Sequence, residues 1–271
     1  MLNQELDAGL KRSGAIVVFD IDGVVRDVAG SYRRALADTV ERFTQNAYRP
    51  TSQEIDILKS EGTWNNDWEA SQELVYRYFE AQGTSRGAID LNYQELVAFF
   101  QSKYRGTDSE HWTGYICDEP LLLEPAYLDS LTQSEIRWGF FSGATRASAN
   151  YVLEKRLGLQ SPVLIAMEDA PGKPDPAGLF ESVKRLENEP KQMTPVIYVG
   201  DTVADMVTIE RSRTLQPDRA WIAVGVLPPH VQQTSEQIHS YTNLLFRAGA
   251  AIVLNNVQEL TPEKVFELTK L

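Results

Sequence analysis

Two aspartates lie one residue apart where a run of apolar residues ends. The segment VVFDIDGVVR places Asp20 and Asp22 directly after the apolar residues and just before Gly23. In an extended chain, residues i and i+2 point to the same side, so the two carboxylates converge on one place. One carboxylate of such a pair can attack an electrophile while the other transfers a proton. The alternative is a solvated turn, since Asp and Gly are common where strands end.

Three further segments carry residue types suited to an anionic substrate. FFSGATR contains Ser142 and Gly143, a hydroxyl and free backbone N–H groups where a helix begins, and such places favour anionic oxygens. GKPDP places Lys173 in a loop stiffened by two prolines. VGDTVAD places Asp201 and Asp205 at a strand end and in the first turn of a helix. The alternatives are a surface lysine, a helix cap and acids that only favour a helix N-terminus.

Short apolar runs along the chain have the length and composition of buried parallel strands. Helical patterns lie between most of them, so the alternation predicts a doubly wound α/β sheet. Ligands bind at the carboxyl ends of the strands in such a sheet, and the four segments that carry the chemistry follow predicted strands. The runs are AIVVF, IRWGFF, PVLIA, PVIYV, AWIAVGV and AAIVL.

One long segment interrupts the alternation of strands and helices. Between about residues 31 and 104 there is no strand-like run, but there are four amphipathic helical patterns. Two of these begin with capping-box spacing, and glycines follow at suitable stops. We therefore expect residues 1–27 and 121–271 to form the core domain and residues 28–120 to form an inserted helical domain.

Composition limits the classes of partner. The 271 residues include 26 Lys and Arg against 38 Asp and Glu, a net charge of −12, and no basic stripe is visible. Neither nucleic acid nor a membrane surface is an expected partner of such a chain. No apolar segment approaches the ~20 residues of a membrane span, and the single cysteine, Cys117, has no metal-ligand neighbours. A cytoplasmic protein is the default expectation.

The four segments FDIDGVV, FFSGATR, GKPDP and VGDTVAD, in this order, resemble the motifs of the haloacid dehalogenase (HAD) superfamily of phosphohydrolases. The helical insertion is similar to the cap of the branch that includes phosphoglycolate phosphatase and β-phosphoglucomutase. The resemblance spans roughly residues 14 to 256. Four motifs in the right order are far more specific than any one of them. The resemblance implies a HAD-like Rossmannoid core with an inserted all-helical cap.

The resemblance also implies a role for each matched residue. Asp20 corresponds to the nucleophile that forms an aspartyl-phosphate, and Asp22 corresponds to the general acid and base. The family's Mg²⁺ would be held by Asp20, the backbone carbonyl of Asp22, and Asp201. Asp205 would not bind the metal directly but would orient Lys173 or a metal-bound water molecule. The implied phosphate-binding residues are Ser142, Gly143 and Lys173.

The insertion contains a candidate for substrate specificity. In the segment WNNDW, Asn66 and Asp67 lie between two tryptophans, and caps of this type place such a loop over the phosphate site. A tryptophan-anchored packing turn is an equal alternative. Arg26, Arg33 and Arg34 lie just beyond the nucleophile and are candidates for a second anionic group, with solvated surface as the alternative for at least two of them.

The sequence therefore predicts a Mg²⁺-dependent phosphatase acting on a small phosphorylated metabolite, with a sugar phosphate as one candidate. A phosphomutase on the same fold is the first alternative. Hydrolytic dehalogenase chemistry is disfavoured, because those relatives need no Mg²⁺ and lack an acid at the position of Asp22. A catalytically silent binding or regulatory protein should have lost one of four central residues, and all four are present: Asp20, Asp22, Lys173 and Asp201. The oligomeric state and the substrate's identity are not predicted.

Overall fold

The structure is a computed structural model that describes residues 14–64, 66–108, 110–187 and 193–270. Residues 1–13 of the expected core domain and Asn65 of the WNNDW segment lie outside the described residues. Among the helices of the described ranges, none has the length and apolar character that crossing a membrane requires.

Six parallel strands form one sheet in the order β3-β2-β1-β4-β5-β6. Each apolar run identified in the sequence overlaps one of these strands, and the predicted doubly wound α/β fold is confirmed. β1 lies between β2 and β4, near the centre of the sheet. The strands are β1 (Ile16–Phe19), β2 (Arg137–Phe141), β3 (Leu164–Ile165), β4 (Val196–Gly200), β5 (Trp221–Val226) and β6 (Ile252–Leu254).

The central strands are buried on both faces. Along β1, Val17 and Phe19 belong to one hydrophobic cluster, whereas Ile16 and Val18 belong to a second cluster. Because successive side chains of a strand point to opposite faces, these are the cores on the two sides of the sheet. A strand covered on both sides needs apolar residues at every position, and this explains the continuous apolar run before Asp20.

The register of the sheet brings three strand ends level. Phe19 of β1 pairs with Phe140 of β2 and with Val199 of β4. The backbone N–H of Asp20 donates to the carbonyl of Val199 over 2.8 Å, so the pairing continues one residue past β1. The segments that carry the first, second and fourth motifs therefore begin at the same edge of the sheet.

Helices of the inserted segment lie between β1 and β2 in the sequence. The first packs against the third and fourth, and all follow the amphipathic patterns of the sequence. Thr51 and Glu54 form the capping box that begins the second helix. Glycines in the left-handed region stand at the expected stops, Gly62, Gly83 and Gly106. The helices are α1 (Tyr32–Phe43), α2 (Ser52–Ser60), α3 (Asp67–Ala81) and α4 (Tyr93–Tyr104).

The remaining helices precede or connect strands of the sheet, except α10, which follows β6. Helical patterns in the sequence over residues 127–131, 147–157, 177–186 and 203–211 predict α5 to α8, whereas no such pattern predicts α9 or α10. In α9, Ile238, Tyr241 and Leu245 pack against the core, while Leu244 and Phe246 are exposed, so the apolar residues of its last turns lie on more than one face. The helices are α5 (Pro125–Gln133), α6 (Arg146–Asn150, continued by a π-helical segment over Tyr151–Arg156), α7 (Ala177–Leu186), α8 (Val203–Leu215), α9 (Ser235–Arg247) and α10 (Pro262–Leu268).

Candidate active site

Lys173 contacts two aspartates at the carboxyl edge of the sheet. Its Nζ lies 2.8 Å from Oδ1 of Asp20 and 2.7 Å from Oδ1 of Asp205. The contact with Asp205 is a hydrogen bond, and the contact with Asp20 is an ion pair. The structure thus brings the lysine of the third motif to an aspartate of the first and an aspartate of the fourth.

The ionisable groups of this cluster are strongly perturbed. Burial raises the pKa of Asp20 to about 7, although Lys173 opposes the shift. Burial, with the charges of Asp205 and Asp20, raises the pKa of Asp201 well above its usual range. Burial disfavours the ammonium of Lys173, but Asp20 and Asp205 outweigh it and raise the pKa of this lysine. Full ionisation of all three acids would create more negative charge than one lysine balances, and the raised pKa values of Asp20 and Asp201 reflect this cost.

Asp205 is held by hydrogen bonds in the first turn of α8. Its Oδ1 accepts from Lys173 and, over 3.0 Å, from the hydroxyl of Tyr198. Its Oδ2 accepts from the backbone N–H and the hydroxyl of Thr202, over 3.0 Å and 2.6 Å. Burial opposes ionisation of Asp205, but Lys173 and Thr202 outweigh it and lower its pKa. Asp205 therefore remains ionised and fixes the position of Lys173.

Asp201 approaches the backbone of the first motif at a glycine. Gly23 has a φ of 77°, and a Cβ built at this position would lie only 2.1 Å from Oδ2 of Asp201. A side chain is excluded here by both the backbone conformation and the close approach. The glycine of DIDG thus lets the acid that follows β4 reach the turn that follows β1.

The acids of the cluster fit a hard divalent cation. Asp20, Asp201 and Asp205 each place one carboxylate oxygen within 4.8 Å of the others. The side chain of Asp20 is buried, and its Oδ1 lies against the ammonium of Lys173. Carboxylate oxygens in excess negative charge are the ligands that Mg²⁺ prefers. Because both oxygens of Asp205 already accept hydrogen bonds, Asp20 and Asp201 are the better placed ligands.

The second motif forms a tight turn after β2. Ser142 is buried at 1% exposure, and its Oγ accepts from the N–H of Ala144 over 3.1 Å. Gly143 is exposed, and nothing lies within 4 Å of the place where its Cβ would be. Thr145 caps α6. The turn therefore leaves open space beside Gly143 while the serine is fixed below it.

The WNNDW segment is stabilised by local contacts. Oδ1 of Asn66 accepts from the N–H of Trp68 over 3.0 Å and caps α3. Asp67 pairs with Lys59 of α2 over 2.7 Å. Trp64 and Trp68 are partly buried against the hydrophobic core. Packing thus accounts for the tryptophans, and both polar residues also serve the junction of α2 and α3.

Tyr32 lies close to the first motif. Its ring centre is 5.4 Å from the guanidinium of Arg26, which pairs with Asp22. Burial raises the pKa of Tyr32 to about 12, although Arg26 opposes the shift. The role of Asp67 in specificity stays a prediction.

Arg26 fits neither alternative considered for it. It is fully buried and pairs with Asp22, so it is neither solvated nor free to meet a second anion. Arg33 is half-buried and pairs with Asp56, and Arg34 is exposed. The available signal for Arg26 was its position directly after two buried valines, where a solvated arginine is unexpected.

A family model for haloacid dehalogenase-like hydrolases matches residues 15–212. The chain belongs to this family of hydrolases. It is also 28% identical over 247 residues to a protein from Phytophthora nicotianae named imidazoleglycerol-phosphate dehydratase. That match covers 88% of this chain but 49% of the relative, so the chain spans about half the length of the curated relative it matches.

Solved structures share the fold at low sequence identity. Phosphatase Tt82 from Thermococcus thioreducens has a TM-score of 0.59 and 22% identity, and the match covers 78% of this chain and 92% of that one. A phosphonoacetaldehyde hydrolase-like protein from Oleispira antarctica has a TM-score of 0.66 and 17% identity, with coverage of 98% and 99%. A HAD hydrolase of family IA from Entamoeba histolytica has a TM-score of 0.63 and 13% identity, with coverage of 95% and 100%.

Proposed function

We propose that this HAD-family hydrolase is a Mg²⁺-dependent phosphatase that hydrolyses a small phosphorylated metabolite through an aspartyl-phosphate. The observation that carries the proposal is the buried Asp20, which Lys173 joins to Asp205 of the fourth motif at the carboxyl edge of the sheet. A nucleophilic carboxylate beside a fixed cation suits attack on a phosphate group better than it suits a binding surface.

The proposal includes a division of the chain into two parts. Residues 1–27 and 121–271 would form the catalytic core and residues 28–120 the helical cap. In support, α1 contacts α3 and α4, and the sheet is built from the remaining segments.

The chemistry assigned to the two aspartates takes two steps. A carboxylate oxygen of Asp20 bonds to phosphorus as the bond from phosphorus to the alcohol oxygen breaks, and Asp22 gives its proton to that oxygen. Asp22 then takes a proton from water, whose oxygen bonds to phosphorus while the aspartyl oxygen of Asp20 leaves. The products are an alcohol and inorganic phosphate, and both aspartates return to their starting states.

The surrounding residues are assigned to compensating the negative charge of the carboxylates and the phosphate group. Mg²⁺ held by Asp20, the carbonyl of Asp22, and Asp201 would supply the positive charge that lets a phosphate approach these carboxylates. Lys173 adds a further positive charge and is fixed by Asp205. The hydroxyl of Ser142 and the N–H of Gly143 are assigned to the equatorial phosphate oxygens, where charge accumulates in the transition state.

A phosphate-release screen tests the proposal. Phosphorylated sugars, glycolate, nucleotides and amino acids would be incubated with the protein, with and without Mg²⁺. We expect phosphate release from at least one of them that depends on Mg²⁺. Conversion of a sugar phosphate to its isomer with little free phosphate would favour the phosphomutase instead, and no turnover of any compound would favour a silent binding protein.

The name of the Phytophthora nicotianae relative adds one compound to the screen. Imidazoleglycerol phosphate is a phosphate monoester, so the proposed phosphatase would release phosphate from it if the imidazole-bearing alcohol fits the cap. Dehydration of this compound without phosphate release would favour the second candidate, a dehydratase activity in this chain. Product analysis by mass spectrometry distinguishes the two reactions.

A further inference from the structure

Arg26 makes a close contact with one oxygen of Asp22. Its Nε donates to Oδ1 of Asp22 over 2.7 Å, and its Nη2 lies 2.6 Å from the same oxygen without the alignment of a hydrogen bond. The arginine side chain is fully buried, whereas 29% of the Asp22 side chain is exposed. One oxygen of Asp22 is thus occupied by the guanidinium, and Oδ2 remains for a substrate.

Arg26 is itself held from the other side. Its Nη1 donates to the hydroxyl of Tyr104 over 2.7 Å and to Oε2 of Glu119 over 2.8 Å. Glu119 is buried and also accepts from the hydroxyl of Ser31. The guanidinium further lies 5.4 Å from the ring centre of Tyr32, which stacks on Tyr104. These contacts leave Arg26 a single orientation.

The backbone around Arg26 joins two passages of the chain. Its carbonyl accepts from the N–H of Gly23 over 2.8 Å, and Arg26 forms an isolated antiparallel bridge with Leu121. The chain leaves the sheet for the inserted helices at Arg26 and returns near Leu121. Tyr104 is the last residue of α4, so the side chain of Arg26 connects Asp22 with the end of an inserted helix.

We propose that Arg26 is a positioning residue that fixes the carboxylate of Asp22, with Oδ2 directed to the leaving group, and that Tyr104 and Glu119 hold Arg26 for this purpose. The inference rests on the proposed function, because it concerns the proton donor of that reaction. Stability alone explains the cluster poorly, since buried ion pairs are often no more stable than apolar residues of the same volume.

Dependence on the leaving group tests the inference. The variants Arg26→Met, Arg26→Lys and Tyr104→Phe would be assayed with p-nitrophenyl phosphate, whose leaving group needs little protonation, and with the alkyl phosphate that the wild type hydrolyses fastest. The ratio kcat/KM reports the steps up to the first phosphoryl transfer. General acid catalysis contributes about 100- to 10,000-fold, so we expect Arg26→Met to lose at least about tenfold more on the alkyl phosphate.

The other variants separate positioning from folding. Arg26→Lys should recover part of the loss, and Tyr104→Phe should show a smaller change in the same direction. If Arg26→Met does not fold, these two variants carry the comparison. Arg219→Met is the matched control, because Arg219 is also a buried arginine, pairs with Glu187 over 2.7 Å, and lies near the amino end of β5. It should lower the melting temperature without changing the ratio between the two substrates.

The outcomes distinguish the two levels of the proposal. A wild-type protein that releases phosphate from neither substrate would overturn the proposed function and this inference with it. A wild type that hydrolyses both, combined with equal losses on both substrates in every Arg26 and Tyr104 variant, would overturn the role of Arg26 and leave the phosphatase proposal standing.

Discussion

At the scale of single residues, the main electrostatic feature of the site is that burial makes ionisation of Asp20 unfavourable. A buried carboxylate whose pKa is raised to about 7 is an unfavourable anion in the free protein, even with Lys173 beside it. The same environment makes the ionised oxygen reactive and favours binding of a cation. The features that destabilise Asp20 are thus those that a nucleophile for phosphate esters needs.

Replacing Asp20, the proposed nucleophile, should remove turnover and preserve the fold. Asp20→Asn keeps the shape of the side chain but supplies a poor nucleophile and a poor metal ligand. We expect phosphate release to fall by several orders of magnitude, roughly the scale seen when a nucleophile is removed. Asp218→Asn, at an exposed aspartate in the turn before β5, is the matched control and should be fully active. Normal turnover by a folded Asp20→Asn protein would rule out the assigned role.

The residues of the four motifs could be found from the sequence because their types and order are diagnostic. The register of the sheet then brings their strand ends together, and the doubly wound fold implies this. The pairing of Arg26 with Asp22 could not be found this way. It depends on a turn with a positive φ at Gly23 and on Glu119, a partner 93 residues away, and neither follows a helical or strand period.

At the scale of elements, the junction of α2 and α3 serves packing and is the candidate specificity loop. Its N-cap at Asn66 and its ion pair at Asp67 mean that a change here alters stability as well as recognition. Local signals predicted these helices well, because capping residues and glycine stops act within a few residues. The contact of Asp67 with Lys59 depends on how the two helices meet, and the sequence does not contain this information in a periodic form.

Removing both polar side chains should separate specificity from chemistry. The double variant Asn66→Ala with Asp67→Ala should have a lower kcat/KM on the native substrate. The decrease should correspond to about 1 to 3 kcal/mol of transition-state stabilisation per lost buried hydrogen bond. The kcat/KM for p-nitrophenyl phosphate should be nearly unaffected. The lost cap should also cost about 0.5 to 2 kcal/mol of stability. Lys59→Met breaks the ion pair of Asp67 from the other side and controls for the loss of that pair. If the double variant and Lys59→Met both show the wild-type ratio of kcat/KM between the two substrates, the segment has no part in recognition.

At the scale of the whole molecule, the inserted helices contact the sheet domain through His230. Nε2 of His230, in the loop after β5, lies 3.2 Å from Nη2 of Arg33 in α1 and 3.7 Å from Oδ1 of Asp56 in α2. Burial, with the charge of Arg33, lowers the pKa of His230 to about 4. This contact therefore requires a neutral imidazole.

Stability should fall in acid because of this histidine. Above pH 6.5 His230 is neutral in both the folded and the unfolded protein. Between pH 6.5 and about pH 4 the imidazole is protonated in the unfolded chain but stays neutral in the folded protein, and this difference favours unfolding. The expected loss across this window is on the order of 2 to 3 kcal/mol. Melting curves of the wild type and His230→Gln from pH 7 to 4.5 check this, since the comparison cancels the titration of Asp20 and other shared groups. Parallel curves would contradict it.

Metal binding should be visible in stability as well as activity. EDTA should abolish phosphate release and Mg²⁺ should restore it, whereas Zn²⁺ should restore it poorly because the assigned ligands are all oxygens. A ligand that binds only the folded state raises the melting temperature, so Mg²⁺ should stabilise the wild type. It should stabilise Asp201→Asn far less. Full activity in EDTA, or equal stabilisation of both proteins, would contradict the metal site.

The most direct test is to find the phosphoryl group on Asp20. The wild type and Asp22→Asn would be mixed with p-nitrophenyl phosphate and Mg²⁺, quenched in acid during turnover, and digested for mass spectrometry. The account predicts one phosphoryl group on the peptide that contains Asp20, and more of it in Asp22→Asn, because water is then poorly activated in the second step. Continued release of phosphate with no phosphoryl group on Asp20 in either protein would contradict the account.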